Sequence, residues 1–172
     1  MKKIIFLIIS VLLVVSFCAS AAEYTVADFT SYSASGEYNL PVSSERTKSG
    51  LFTLKWSGYN LYKNIVCPID KRDYNNGVFS MWVFSTFASK SDFQFVLVSD
   101  NSETPEMDCY YANFWNYWLG WKELKFDKED FETYGNPAGF ENADTLILCS
   151  LFNGNVPKTE TELFIDRVIF KK

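Results

Sequence analysis

Short apolar stretches separated by turn-forming residues run through most of the chain. The stretches are rich in β-branched and aromatic side chains, which favours strands over helices. Turn signals such as Ser49-Gly50, Asn75-Asn76-Gly77 and Asn153-Gly154-Asn155 stand between them. This pattern predicts eight strands, at residues 24–29, 51–56, 78–87, 93–99, 109–118, 121–126, 145–152 and 162–170.

Helical patterns are almost absent from the chain. Only residues 127–133 indicate a helical turn, and strands do not alternate with helices as they do around a parallel sheet. The sequence therefore predicts an all-β fold, a two-sheet antiparallel β-sandwich.

Two of the predicted strands depart from a simple alternation of buried and exposed residues. In the last strand, Leu163, Ile165, Val168 and Phe170 cannot all share one strict face, so the strand needs a bulge around Asp166-Arg167 or burial on both faces. The strand at 109–118 is aromatic on both faces. One face can pack in the core, and the other must be covered or form a binding surface.

The N-terminus has the pattern of an export signal. Lys2 and Lys3 precede an apolar run at 4–17, and Ala19-Ser20-Ala21 resembles a cleavage site. We expect a secretory signal peptide at 1–21 and a single domain at 22–172, secreted, periplasmic or on the cell surface. Two alternatives are a lipoprotein modified at Cys18 and an uncleaved membrane anchor. The first is disfavoured by Phe17, since the lipidation signal has a small residue there.

The charge of the chain limits its partners. Without Lys2 and Lys3 the chain has 14 basic and 21 acidic residues. Nucleic acid is disfavoured because phosphate contacts need a basic surface, and anionic lipid is disfavoured for the same reason. We expect no nucleic-acid partner and no stable membrane insertion, which leaves neutral sugars as possible ligands.

The chain contains no histidine. This excludes catalysis by a serine–histidine or cysteine–histidine pair and the usual hydrolytic zinc sites. The carboxylates lie mostly in turn-like stretches such as 100–106 and 127–132. We therefore expect a protein that is not an enzyme, and a carboxylate-dependent glycosidase or lyase is the least favoured class. Cys67, Cys109 and Cys149 allow one disulfide at most, or three buried thiols.

Several motifs resemble those of a known family. They are the run 118–126, Asp130-Phe131, Tyr134-Gly135-Asn136-Pro137 and Phe164-Ile165-Asp166-Arg167-Val168, with 48–56 and 78–85 upstream. In order and spacing they look like β-jelly-roll carbohydrate-binding modules, galactose-binding-domain-like sandwiches of the kind attached to glycoside hydrolases and polysaccharide lyases. The resemblance spans most of the predicted domain.

The resemblance implies a non-catalytic protein that binds a polysaccharide or oligosaccharide on an aromatic platform of one sheet. Sugar rings present C–H faces that stack on aromatic rings, and their hydroxyls form hydrogen bonds at the platform edge. We assign Trp56 and Trp121 to packing. A partner enzyme or cell-surface protein is possible, and the alternative is an adhesive sandwich with no sugar site. The expected sugar-binding residues are Trp82, Tyr110, Asn113, Trp115, Tyr117 and Trp118.

The resemblance also implies a structural calcium ion. The matching ligands are the carboxylates of Asp28 and Asp166 and a backbone carbonyl near Lys48. Calcium prefers six or more oxygen ligands, and these three residues do not supply that number. The alternative is that Asp166 pairs with Arg167 or Lys171 and Asp28 caps a turn.

Overall fold

The computed structural model describes residues 22–29, 42–49 and 52–172. Two antiparallel sheets account for all the strands in these segments. The strands are β1 Glu23–Ala27, β2 Val42–Ser43, β3 Thr53–Ser57, β4 Ile65–Pro68, β5 Val78–Ser85, β6 Asp92–Val98, β7 Cys109–Trp115, β8 Gly120–Phe126, β9 Glu132–Tyr134, β10 Thr145–Cys149 and β11 Glu162–Lys171.

The two sheets face each other across a common core. Sheet A has the order β2-β3-β11-β5-β8, with β1 also paired to β11, and sheet B has the order β4-β10-β6-β7-β9. Each of the eight predicted strands is present, which confirms the predicted two-sheet antiparallel sandwich. The strands that were not predicted, β2, β4 and β9, have two to four residues. That is too short for a period-two pattern to be recognised.

Turns of 3₁₀ helix occur at Gly58–Tyr62, Lys128–Asp130 and Phe140–Asn142. The second lies within the predicted turn at 127–133. A capping box holds it: the Asp127 carboxylate accepts from the Glu129 amide, and the Asp127 amide donates to the Asp130 carboxylate. The rest of that predicted turn is β9.

The core consists of large apolar side chains from both sheets. Trp56 of β3 is fully buried, and its ring lies 5.1 Å from that of Phe93 in β6. Its indole N–H donates to the carbonyl of Asn60 at 2.8 Å. Removing a side chain of this size from a core costs about 3–5 kcal/mol. The assignment of Trp56 to packing is therefore confirmed.

The last strand contains the bulge expected from its pattern. The register between β11 and β5 shifts between Ile165 and Val168, so both of these side chains face the core and both are fully buried. The inserted residues are Asp166, which is buried, and Arg167, which is exposed.

The three cysteines of the described residues are buried, and none of them is joined to another by a disulfide. Cys67 belongs to the core, whereas Cys109 and Cys149 lie on strands of sheet B that are separated by β6. Of the two alternatives predicted for the cysteines, one disulfide or three buried thiols, the structure contains the buried thiols. Among the described residues no helix is long and apolar enough to cross a bilayer. The predicted signal peptide at 1–21 lies outside the described residues and stays a prediction.

Candidate functional site

A groove of about 370 Å³ lies on the outer face of sheet B, the face turned away from the core. Its floor is a row of directly paired residues, Ile147 of β10, Val96 of β6 and Tyr111 of β7. Val96 belongs to a small apolar cluster with Val98 and Cys109, and this cluster is separate from the main core. The floor is therefore apolar and carried by three adjacent strands.

Next to this row lies a second one that contains carboxamides. Gln94 of β6 is paired on one side with Cys149 of β10 and on the other with Asn113 of β7. Directly paired side chains on one face of a sheet lie about 5 Å apart at Cβ. Two amide groups, each with donors and acceptors, therefore border the apolar floor.

The walls come from loops and from β9. None of the residues that line the groove carries a formal charge, which is notable in a chain with net charge −5. Besides the floor row, Gln94 and Cys149, the lining consists of Asn64, Met107, Cys109, Tyr134, Leu151, Phe152 and Asn153.

Tyr111 is the aromatic residue of the floor row. Its hydroxyl donates a hydrogen bond of 2.7 Å to the Glu132 carboxylate, which lies directly opposite on β9. That hydrogen bond, with a smaller contribution from burial, raises the pKa of Tyr111 above its usual value. The ring is thus neutral and held by a strand on each side, so little side-chain entropy remains to be lost on binding.

The thiols of the groove behave as apolar groups. Burial raises the pKa of Cys109, with a smaller contribution from the nearby Asp108 and Asp100 carboxylates. Burial also raises the pKa of Cys149. Both thiols stay protonated near neutral pH, and a buried protonated thiol is a weak nucleophile.

Three of the six residues expected to bind sugar lie beside this groove. Asn113 and Trp115 are on β7, and the exposed Tyr117 follows it. They line a second cleft of about 350 Å³ between β7 and the edge strand β8. This side cleft also contains charged residues, namely Lys122, Glu123, Lys125 and Asp130.

The structure does not bring the other three residues to this face. Trp82 lies on the outer face of sheet A, with the Lys48 ammonium 4.6 Å from its ring centroid. Tyr110 points to the opposite side of β7 from Tyr111, because successive strand residues face opposite ways, and stacks on Phe140 at 3.9 Å. Trp118 is partly buried and packs against the core. The six residues therefore do not form one platform.

Some residues of the groove were not predicted from the sequence. Tyr111 shares the face of Asn113 and Trp115, so the alternation along β7 contained the signal for it. Gln94 interrupts an otherwise apolar strand, 93–98, which is a second usable signal. Tyr134 lies in a three-residue strand, and no pattern in the sequence indicates it.

The outer face of sheet A is also aromatic, but it is covered. Phe84 is paired with Phe164 on one side and Trp121 on the other, with ring centroids 6.2 and 5.4 Å apart. The Arg46 guanidinium lies 4.9 Å from the Phe84 centroid, and the Lys55 ammonium lies 5.2 Å from that of Phe164. Trp121 thus packs against this row instead of in the core.

The predicted calcium ligands Asp166 and Lys48 do meet, but through hydrogen bonds. One oxygen of Asp166 accepts from the backbone amides of Lys48 and Ser49, at 3.1 and 2.8 Å. The other accepts from the Ser49 hydroxyl and the Arg167 amide, at 3.0 and 2.7 Å. A carboxylate surrounded by four donors does not fit the role of a calcium ligand, since the ion needs those lone pairs.

The third expected ligand, Asp28, is exposed just after β1. Among the described residues, no group of three or more acidic or cysteine side chains is arranged to hold a metal. The calcium ion stays a prediction.

Several solved structures are similar to this chain, although no protein-family model and no curated protein matches it. A family 11 carbohydrate-binding module from Clostridium thermocellum, in complex with a β-1,3-1,4-mixed-linked tetrasaccharide, superposes with a TM-score of 0.63. It is 12% identical, and the match covers 88% of this chain and 96% of that one. The fold is that of the β-sandwich carbohydrate-binding modules.

Two further solved structures are also similar to this chain. A family 11 module of a cellulosomal cellulase from the same organism has a TM-score of 0.63 at 11% identity, with 88% of this chain and 95% of that chain covered. A family 30 carbohydrate-binding module has a TM-score of 0.51 at 14% identity, with 77% and 83% covered. The fold implied by the sequence resemblance is confirmed.

Proposed function

We propose that this protein is a non-catalytic carbohydrate-binding protein that holds a polysaccharide or oligosaccharide in the groove of sheet B. The observation that carries the proposal is the composition of the groove. An aromatic ring, Tyr111, lies beside two carboxamides, Gln94 and Asn113, on adjacent strands, and the lining has no charged side chain.

This composition suits the two kinds of surface on a sugar. The C–H faces of a sugar ring pack against the Tyr111 ring and the apolar floor, as apolar faces do on aromatic rings in general. The hydroxyls exchange hydrogen bonds with the amides of Gln94, Asn64 and Asn153 in the groove and with that of Asn113 at its border. Because a charged ligand group would find no partner in the groove, its ligand is a neutral glycan.

The N-terminal pattern supports a location outside the cytoplasm. With a signal peptide at 1–21, the domain meets polysaccharide at the cell surface, in the periplasm or in the medium. There it holds its cell, or a partner carbohydrate-active enzyme, to the polymer. The lack of histidine in the chain and of carboxylates in the groove lining supports a role without catalysis.

One observation favours a second candidate, an adhesive protein that binds a protein partner. Apolar groups form much of the groove, including Val96 and Ile147 in the floor and Met107 and Leu151 in the walls. An apolar peptide segment would suit such a surface. The binding experiment distinguishes the two functions, since only the first requires affinity for sugars.

The test is affinity electrophoresis of the protein through gels containing mixed-linked β-1,3-1,4-glucan, xylan, mannan, pectin or alginate. Mixed-linked glucan comes first because a similar structure contains that type of oligosaccharide. The variants are Tyr111→Ala in the groove and, as a matched aromatic control, Trp82→Ala on the outer face of sheet A. Melting curves establish that both variants are folded.

We expect a neutral polymer to retard the wild-type protein and Trp82→Ala equally. Tyr111→Ala should bind at least about tenfold more weakly, which corresponds to about 1.4 kcal/mol. Free migration of the wild-type protein in every gel would refute sugar binding and favour the adhesive function. A loss of retardation in Trp82→Ala alone would move the site to sheet A.

A further inference from the structure

The groove of sheet B is open towards one end of β7. The neighbouring strand β9 is paired only with Cys109, Tyr110 and Tyr111. From Ala112 to Trp115, the outer edge of β7 therefore has no described strand beside it. The side cleft begins at this gap, bounded by β7 and by β8, which is itself the edge of sheet A.

One row of side chains connects the groove with the side cleft. Tyr111, Asn113 and Trp115 all lie on the outer face of β7, because alternate residues of a strand face the same way. Tyr111 lines the groove, and Asn113 and Trp115 line the cleft. Four residues at about 3.3 Å each place Trp115 about 13 Å from Tyr111 along the strand. The two cavities thus share one continuous surface.

Trp115 is placed to contact a ligand that crosses between them. Its side chain is 45% exposed, although it belongs to a regular strand and is paired with Asp92 of β6. Tyr117, which follows, is 58% exposed and lines the same cleft. Large aromatic side chains held at an exposed position on a strand end favour binding to a flat apolar surface.

The side cleft differs chemically from the groove. Lys122, Lys125, Glu123 and Asp130 line it, and Lys125 and Glu123 already pair with each other at 3.1 Å. The cleft is close to balanced in charge, with two basic and two acidic groups. It therefore offers strong hydrogen-bond donors and acceptors to sugar hydroxyls without selecting for an anionic ligand.

We propose that the side cleft is a second subsite, and that a linear glycan longer than the groove continues over Trp115 into it. The inference rests on the proposed sugar-binding function of the groove. Contacts in the second subsite belong to the same ligand chain, so they add affinity without a second loss of translational freedom. The protein then binds long chains in preference to short ones.

The test is isothermal titration calorimetry with β-1,3-1,4-glucan and xylan oligosaccharides, from disaccharide to octasaccharide. The variants are Trp115→Ala and Tyr117→Ala in the cleft, and Trp82→Ala as a control with an equal loss of a tryptophan. We expect the affinity of the wild-type protein to rise at least about tenfold between short and long oligosaccharides. Trp115→Ala should abolish that rise and leave the affinity for the shortest bound oligosaccharide unchanged, and Tyr117→Ala should reduce the rise.

Two results would overturn the second subsite. One is an affinity that does not depend on the length of the oligosaccharide, and the other is an equal loss for short and long oligosaccharides in Trp115→Ala. In both cases the protein still binds sugar, so the proposed carbohydrate-binding function stands. If the wild-type protein binds no oligosaccharide of either series and migrates freely in every gel, the proposed function and the second subsite both fail.

Discussion

The outer faces of the two sheets both carry aromatic side chains, but they differ in what covers them. On sheet A, Phe84 and Phe164 lie under the side chains of Arg46 and Lys55. On sheet B, the face around Tyr111 is an open groove. The same kind of residue therefore packs on one face and is accessible on the other.

This difference shows that the number of aromatic residues does not locate a binding surface. Trp121 on the outer face of sheet A packs against Phe84. The groove of sheet B has a single aromatic ring in its floor rows, Tyr111, together with two carboxamides. Access to the face and the presence of neutral polar groups distinguish the candidate site.

The largest expected effect is on stability, through the segment around Lys48 that covers the outer face of sheet A. Replacing Asp166 with alanine removes the acceptor for four donors, including the amides of Lys48 and Ser49. We expect a loss of about 3 kcal/mol in the free energy of unfolding, measured by urea denaturation. The affinity for glycan should not change, because the groove lies on the other sheet.

The control for this variant is Asp70→Ala. Asp70 is exposed and pairs with Arg72 at 3.1 Å, and its removal should cost no more than about 0.5 kcal/mol. Equal losses in the two variants would mean that the hydrogen bonds of Asp166 do not stabilise the outer face of sheet A.

A smaller effect concerns the carboxamide row of sheet B. Gln94→Ala should weaken binding of the retarding polymer about fivefold to tenfold, since one net hydrogen bond contributes about 1 kcal/mol. The matched variant is Asn75→Ala, which removes a carboxamide outside both cavities and its 2.8 Å hydrogen bond to Glu141. If calorimetry shows equal affinities for Gln94→Ala and the wild-type protein, the amide row takes no part in binding.

Glycan affinity should depend little on pH. The titratable groups that line the groove are tyrosines and thiols, and the pKa values of Tyr111, Cys109 and Cys149 are raised. We therefore expect a flat affinity from about pH 5 to about pH 8, because Tyr111, Cys109 and Cys149 stay protonated throughout. Calorimetry across this range checks it, and a change of tenfold or more would show that a charged group contacts the ligand.

Unlike the affinity for glycan, the stability of the fold should depend on pH. The Thr104 hydroxyl, together with the backbone amides of Asn136 and Asn101, lowers the pKa of Asp108. A carboxyl with a lowered folded-state pKa stabilises the fold above its unfolded pKa, and this stability is lost as the pH falls through the folded pKa. Melting temperatures should fall below about pH 4, and less so in Asp108→Asn.

The smallest expected effect is that of calcium. Since donors surround both oxygens of Asp166, we expect the same melting temperature with excess calcium and with chelator. A rise of several degrees with calcium would show that an ion binds to the folded state. Repeating the titration on Asp166→Ala and Asp28→Ala would then test the ligands implied by the sequence resemblance.

Local pattern was sufficient to predict eight of the eleven described strands. β-Branched and aromatic residues between turn signals located them, and the spacing of Ile165 and Val168 required a bulge or burial of both faces; the structure contains the bulge. Short elements such as β9 escaped detection because three residues carry no periodic signal. β9 contributes Tyr134 to the groove wall, so the candidate site was less predictable than the fold.

The sequence by itself determined the class of fold, the position of most strands and the absence of histidine chemistry. Only the tertiary structure decided which outer face is open. Trp82 and Tyr111 both lie on outward faces of aromatic strands, yet Lys48 covers the first, while the second borders an open groove. The physical reason is distance along the chain: alternation is set by adjacent residues, whereas cover comes from segments tens of residues away that meet only when the sheets pack.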